Sequence, residues 1–127
     1  MKMIFLAAAL GVASASCALN TRETHSARDL NLISREQLAE NHFHSTWDAV
    51  SSLHSNWLLG RSASTDQSRV LVYLDEVRLG GIQSLKTMNV FGVSFIRYYD
   101  GLAATARWGL DHGAGVIYVS MHPVVTK

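Results

Sequence analysis

The 127-residue chain has one cysteine, one proline and no excess of either charge, with 11 Lys and Arg against 10 Asp and Glu. A single cysteine cannot close an intramolecular disulfide, so the fold has no covalent staple of that kind. The balanced charge includes no basic run or aromatic-basic stripe, which argues against nucleic acid as a partner. Cysteines and carboxylates at zinc-like spacing are also missing. Long apolar runs are absent too: the stretch over residues 3–12 has ten residues, whereas a bilayer-spanning helix needs about 20.

That run carries its own message. Lys2, the apolar stretch 3–12 and the small residues that follow have the plan of an export signal. Cys17 stands directly after Ser14-Ala15-Ser16, which resembles a lipoprotein cleavage site, with Ser14 where Leu, Val or Ile is usual. The expectation is a leader over 1–16 and a lipid-bearing Cys17; the alternative is ordinary cleavage after Ala15 or Ser16. Without the leader, about 110 residues remain, enough for one modest core. The expected location is the periplasmic face of the outer membrane, or the periplasm.

Residues 18–29 are polar and aperiodic, and read as a tether to a domain over 30–122. Residues 30–34 form a strand candidate. Ser34 and Gln37 make a capping box, and Leu38, Phe43, Trp47, Val50 and Leu53 share one side of a helical wheel, predicting a helix over 35–54. Residues 57–59 read as a short edge strand and 60–68 as a loop. Residues 70–74 are apolar on both alternating faces, as in a covered strand, and VRL follows at 77–79. A short helix follows over 82–88, a strand over 93–99, a turn at Asp100-Gly101, a helix over 102–108 and a strand over 115–121. The fold class is α+β: about four strands in a mixed sheet, packed with one long and two short helices.

Candidate chemistry is sparse. His42 and His44 point roughly 200° apart on a helix, so they do not share a metal. Asp75-Glu76 follows an apolar strand, where acid-base residues can sit, but it also suits a turn. Asp111 and His112 lie between Gly109, Gly113 and Gly115 in a spacing that matches no phosphate loop and precedes a strand. A turn is the reading there, with no nucleophile for either residue to serve. No catalytic residue, cofactor or metal is expected.

Three stretches in this order, VLVYLDEVRLGG, SFIRYYDGLAATARWG and GAGVIYVSM, resemble the plug domain of TonB-dependent outer-membrane receptors. That family has a V-Y-V-D-G-V strand, then I-E-x-I-E-V-x-x-x-x-x-A-x-x-Y-G and G-x-x-G-V-I-x-V-x-T. Residues 72–77, 93–109 and 113–121 follow the pattern, with Glu76 at a usual Gly and Trp108 at a usual Tyr or Phe. The stretch LISREQL is similar to the entry of the family's plug helix.

The resemblance implies a plug without the receptor barrel, and therefore a non-enzymatic accessory or protein-interaction module of the cell envelope. Implied partners are an outer-membrane barrel receptor or a TonB-type protein, with membrane attachment through Cys17. The resemblance assigns no catalytic residue, and Gly109, Gly113 and Gly115, like the paired Gly80 and Gly81, are shape positions. Trp57, Arg78, Tyr99 and Trp108 are candidate partner contacts, because aromatic and Arg side chains dominate interface energetics. Sheet edges and the loops 60–68 and 109–115 are candidate contact regions. Rival readings are an orphan plug remnant and a small hydrolase built on Asp75, Glu76 or His112.

Overall fold

Ser34 accepts a hydrogen bond from the Gln37 amide and the Gln37 side chain accepts one from the Ser34 amide, so the expected capping box does start a helix. The computed structural model describes residues 29–59 and 69–123. Leader 1–16, Cys17, tether residues 18–28 and loop 60–68 lie outside the described residues. The architecture is α+β, with a five-stranded mixed sheet where about four strands were anticipated.

In chain order the elements are β1 (Leu32–Ser34), α1 (Arg35–Glu40), α2 (Thr46–Leu53), β2 (Leu71–Leu74), β3 (Val77–Gly81), β4 (Phe95–Tyr99), α3 (Gly101–Trp108) and β5 (Val116–Ser120). Short 3-10 turns cover Ser55–Leu58, Ile82–Lys86 and Leu110–His112. The strand order is β1-β4-β5-β2-β3. β5 runs antiparallel to β4 and parallel to β2, and β2 and β3 form an antiparallel hairpin. Among the described residues, no helix is long and apolar enough to cross a membrane.

The single long helix expected over 35–54 is two helices. Chain direction changes at Asn41 to His44, where His42 takes φ 51°. Ser45 then opens α2 with a second capping box, accepting from the Asp48 amide while the Asp48 side chain accepts from Ser45. Tertiary contacts hold the break in place. The Thr46 amide donates to Met88 O at 2.9 Å, and its buried hydroxyl donates to Leu85 O at 2.8 Å. His42 and His44 therefore sit in a turn rather than on a helix.

The expected strand at 57–59 is instead the 3-10 turn Ser55–Leu58. Its indole drives the difference: Trp57 is 1% exposed, stacked on His54 at 4.2 Å and on Tyr98 at 5.6 Å. Trp57 is thus a core residue, and its assignment as a partner contact is corrected. The tether is also shorter than drawn. Asp29 already belongs to the fold, accepting from Arg97 at 3.1 Å and from the Leu32 amide at 3.0 Å.

Strand alternation sends side chains to two different layers. Ile33, Val72, Ile96, Ile117 and Val119 pack under α1 and α2 with Leu38, Val50 and Trp57. Leu71, Tyr73, Val116 and Tyr118 face the other way, under Ala104 of α3. All five residues of β5 are buried.

Of the expected shape glycines, Gly80, Gly109 and Gly115 take positive φ. Gly81 is extended, at φ −82° and ψ 179°, and Gly113 is helical, at φ −60° and ψ −18°, so neither needs to be glycine for its backbone. Gly115 is the most constrained, with φ 105° and a virtual Cβ only 2.6 Å from the Tyr98 hydroxyl and 2.9 Å from Tyr99 O. Gly101, read from the sequence only as part of a turn, is tighter still, because a Cβ there would run into the Gly113 carbonyl.

Gly115→Ala should cost about 3 kcal/mol of unfolding free energy, from positive-φ strain and the close approach together. Gly81→Ala, with open space around it, should stay within about 0.5 kcal/mol of the parent; urea titration of both variants checks the contrast. A second expectation concerns pH. Burial lowers the His54 pKa, so the fold prefers neutral imidazole and the unfolded chain takes up the proton first. His54's contribution is fully present above the unfolded value of about 6.5 and declines as pH falls through the folded value. Urea midpoints between pH 7.5 and 5 should show that slope, and His54→Phe should reduce it.

Candidate interaction site

α3 brings the aromatic residues of the thinly covered sheet face together. Asp100 caps it by accepting from the Ala103 amide at 2.8 Å, which the sequence had suggested only as a turn. Ala104 then seats on the sheet, and Trp108, one helical turn later, lands on Tyr73 with ring centroids 5.0 Å apart. Tyr99 meets the indole edge-on at 5.1 Å, and Tyr118 lies 6.1 Å from it. Strand register makes the floor: Tyr118 of β5 is paired with Tyr73 of β2 on one side and Arg97 of β4 on the other. Arg78 of β3 pairs with Tyr73, so Arg97, Tyr118, Tyr73 and Arg78 form one row across four strands.

Arg107 closes this cluster from above. Its guanidinium lies 4.6 Å from the Trp108 ring centroid, 5.2 Å from Tyr118 and 5.4 Å from Tyr99, within the range of a cation–π contact. It also donates to the Tyr99 hydroxyl at 3.0 Å and to the Glu76 carboxylate at 3.3 Å. Tyr118 donates to the same Glu76 oxygen at 3.2 Å. Burial pushes the Tyr118 pKa up, and Glu76's negative charge and hydrogen bond add to the rise. Tyr118 therefore stays a neutral donor, and Glu76 ties the hairpin turn to α3.

Of the four candidate contacts, Tyr99 and Trp108 are half-buried members of this cluster and Arg78 is exposed at its β3 edge. Sequence reasoning misses Arg107, Tyr73 and Tyr118, and places Glu76 only as an acid-base or turn residue. Tyr118 and Tyr73 had been read only as alternating strand positions, and their adjacency depends on the parallel β2–β5 pairing, which local sequence does not reveal.

The residues of the hydrolase reading are held in structural roles. Asp75, at φ 50°, makes the hairpin turn. Its Oδ1 accepts from Ser120 Oγ at 2.8 Å, His122 Nδ1 at 3.1 Å and the Met121 amide at 3.3 Å. This is a Ser–Asp–His contact set with the carboxylate in the middle: the Ser120 hydroxyl donates to Asp75 rather than to the imidazole, which is not the serine–histidine contact that nucleophile activation requires. Partial burial works against the charge on Asp75, but the hydrogen bonds from His122, Ser120 and Met121 outweigh it and lower the pKa.

His112 is buried within the 3-10 turn Leu110–His112. Its Nδ1 donates to Gly109 O at 3.1 Å, and Nε2 accepts from the Tyr73 hydroxyl at 2.8 Å, so both nitrogens are used. Among the described residues, no three His, Cys, Asp or Glu side chains group to hold a metal.

Asp75→Ala should lower stability by about 1 kcal/mol near pH 7, the worth of a hydrogen-bonded charge in a partly exposed turn. Because the folded pKa lies below the unfolded value, Asp75's contribution is present above about pH 4 and lost as pH falls through the folded pKa. The stability gap between parent and variant should therefore close on acidification below about pH 4, as read from thermal midpoints across pH 3–7.

No family model, curated protein or solved structure matches the chain. Its function has to be read from its own surfaces.

Proposed function

We propose that this is an exported, non-enzymatic envelope protein with a plug-like domain that binds a protein partner through the outer face of α3. One observation carries the reading: the solvent-facing side of α3 and the turn after it is largely apolar. Ala104 and Trp108 face the sheet, while Leu102, 84% exposed, and Leu110 just beyond the helix, 88% exposed, stand in solvent. Ala103 and Ala106 are exposed beside them, and Arg107 is the one charged residue of the helix. A helix with an apolar outer face is ordinarily covered on that side, and an apolar helix face is a surface that docks into a partner's groove.

Strand addition is less well supported than this helix face. Edge strand β3 is irregular: its register shifts between Val72 and Tyr73 and Gly80 sits at φ 114°. Such a kink blunts the ladder that an added strand would extend. The structural roles of Asp75, Ser120 and His112 favour binding over catalysis. The export plan at residues 1–16, the candidate anchor at Cys17 and the plug resemblance support a place in the cell envelope. They also favour a barrel receptor or TonB-type protein as the partner.

A photo-crosslinking side chain placed at Leu102 or Leu110 in cells, followed by mass spectrometry, tests the proposal. The expected product is an adduct with an outer-membrane barrel or TonB-type protein that disappears in a Leu102→Glu, Leu110→Glu double variant. That variant should unfold within about 0.5 kcal/mol of the parent, because both side chains are exposed. Adducts only with the chain itself and abundant lipoproteins would remove the partner and leave an orphan domain.

A further inference from the structure

On the opposite side of β4 from α3's outer face, α1, the turn between α1 and α2, and residues 89–93 enclose an open cleft of about 740 Å³. That volume lies within the range of small-molecule sites, roughly 300–1,000 Å³. The apolar lining includes Leu38, Phe43, Val90, Phe91 and Val93. Every ionisable residue lining it is basic: Arg35, His42 and His44. The acidic residues of the adjoining helices, Glu36, Glu40 and Asp48, are not part of the lining, and Asp48 is engaged with Ser45.

Two lining residues are held in conformations that core packing does not explain. Phe91 is 92% exposed. Its turn is nonetheless built: the Phe91 amide donates to Asn89 Oδ1 at 2.8 Å, the Val93 amide donates to Val90 O at 3.1 Å, and Gly92 takes φ 89°. The phenyl ring is thus displayed at the cleft rim. His42 is the second, with φ 51°, an uncommon conformation for a residue other than glycine. Its Nδ1 donates to Glu40 O at 3.2 Å, which orients the ring.

We infer that this cleft binds a single-chain amphiphile with an anionic head, its tail on Leu38, Phe43 and Phe91 and its head among Arg35, His42 and His44. An apolar floor alone would accept any greasy chain; the all-basic ionisable rim selects the sign of the head group. An open cleft suits a flexible alkyl chain better than a rigid ring system. Carboxylate and phosphate heads share this chemistry, and the test separates them.

Amide NMR titration of the purified chain with dodecanoate, dodecyl phosphate, dodecyl maltoside and dodecyltrimethylammonium, each below its micelle concentration, examines the site. Dodecanoate or dodecyl phosphate should shift the amides of residues 35–43 and 89–93, the tighter of the two identifying the head group. The neutral and cationic detergents should bind at least tenfold more weakly. Affinity should rise about fourfold per added CH₂ between the ten- and twelve-carbon ligands if the tail is fully buried.

Arg35→Gln with His42→Gln should weaken the anionic ligand about tenfold and leave the maltoside unchanged, whereas Phe91→Ser should weaken both. Circular dichroism melting of each variant separates lost binding from lost fold. Equal affinity for anionic and cationic heads would overturn the inference. So would shifts scattered away from the cleft, or variants that bind like the parent.

Discussion

β5 is hydrogen-bonded on both edges and buried on both faces, and the placement of the other elements follows from it. An internal strand in that position has no tolerance for a slip in register, because one residue of shift would exchange Val116 and Tyr118 with Ile117 and Val119 between two differently filled layers. The chain enters β5 through Gly115, where the Tyr98 hydroxyl and the Tyr99 carbonyl leave no room for a side chain. Gly101 is set against the Gly113 backbone in the same way. The 109–115 connection is therefore a clamp between α3 and the central strand, with His112 pinned inside it by Tyr73 and Gly109.

The two layers on either side of β5 are built from different materials. Under α1 and α2 the filling is largely aliphatic, closed by Trp57 between His54 and Tyr98. Under α3 it is aromatic, and one short helix covers it. Ring stacking and the Arg107 guanidinium, braced by Glu76 and Tyr99, take the place of a second covering helix. A sheet face roofed by one helix with an apolar outer side leaves apolar surface in solvent, which is why the binding proposal centres on α3.

The cleft beside α1 arises from the same economy of structure. Splitting the anticipated long helix at Asn41 to His44 turns α2 toward the 82–89 segment, where Thr46 is buried against Leu85 and Met88. The space left between α1 and the 89–93 turn is what Phe91 and Phe43 border. An unbroken helix over 35–54 would have carried Phe43 along one continuous apolar stripe, with no such recess.

Local residue chemistry was enough for the fold class, for the Ser34–Gln37 helix start, for the turn at Asp75-Glu76 and for β4 and β5, because capping and strand alternation act over a few neighbouring residues. It was not enough where contacts distant in sequence competed with local periodicity. The stripe of Phe43, Trp47, Val50 and Leu53 reads as one helix, yet the buried Thr46 hydroxyl and the Ser45–Asp48 box break it. The apolar run at 57–59 reads as a strand, yet Trp57 gains more by filling the core beside Tyr98. The Arg107–Glu76–Tyr118 contact joins residues 31 and 42 positions apart, so no window along the chain contains it. Sequence alone determined which segments are amphipathic and where several of them start; tertiary structure decided which strands became neighbours, because pairing β2 with β5 satisfies backbone and side-chain demands that neither strand expresses by itself.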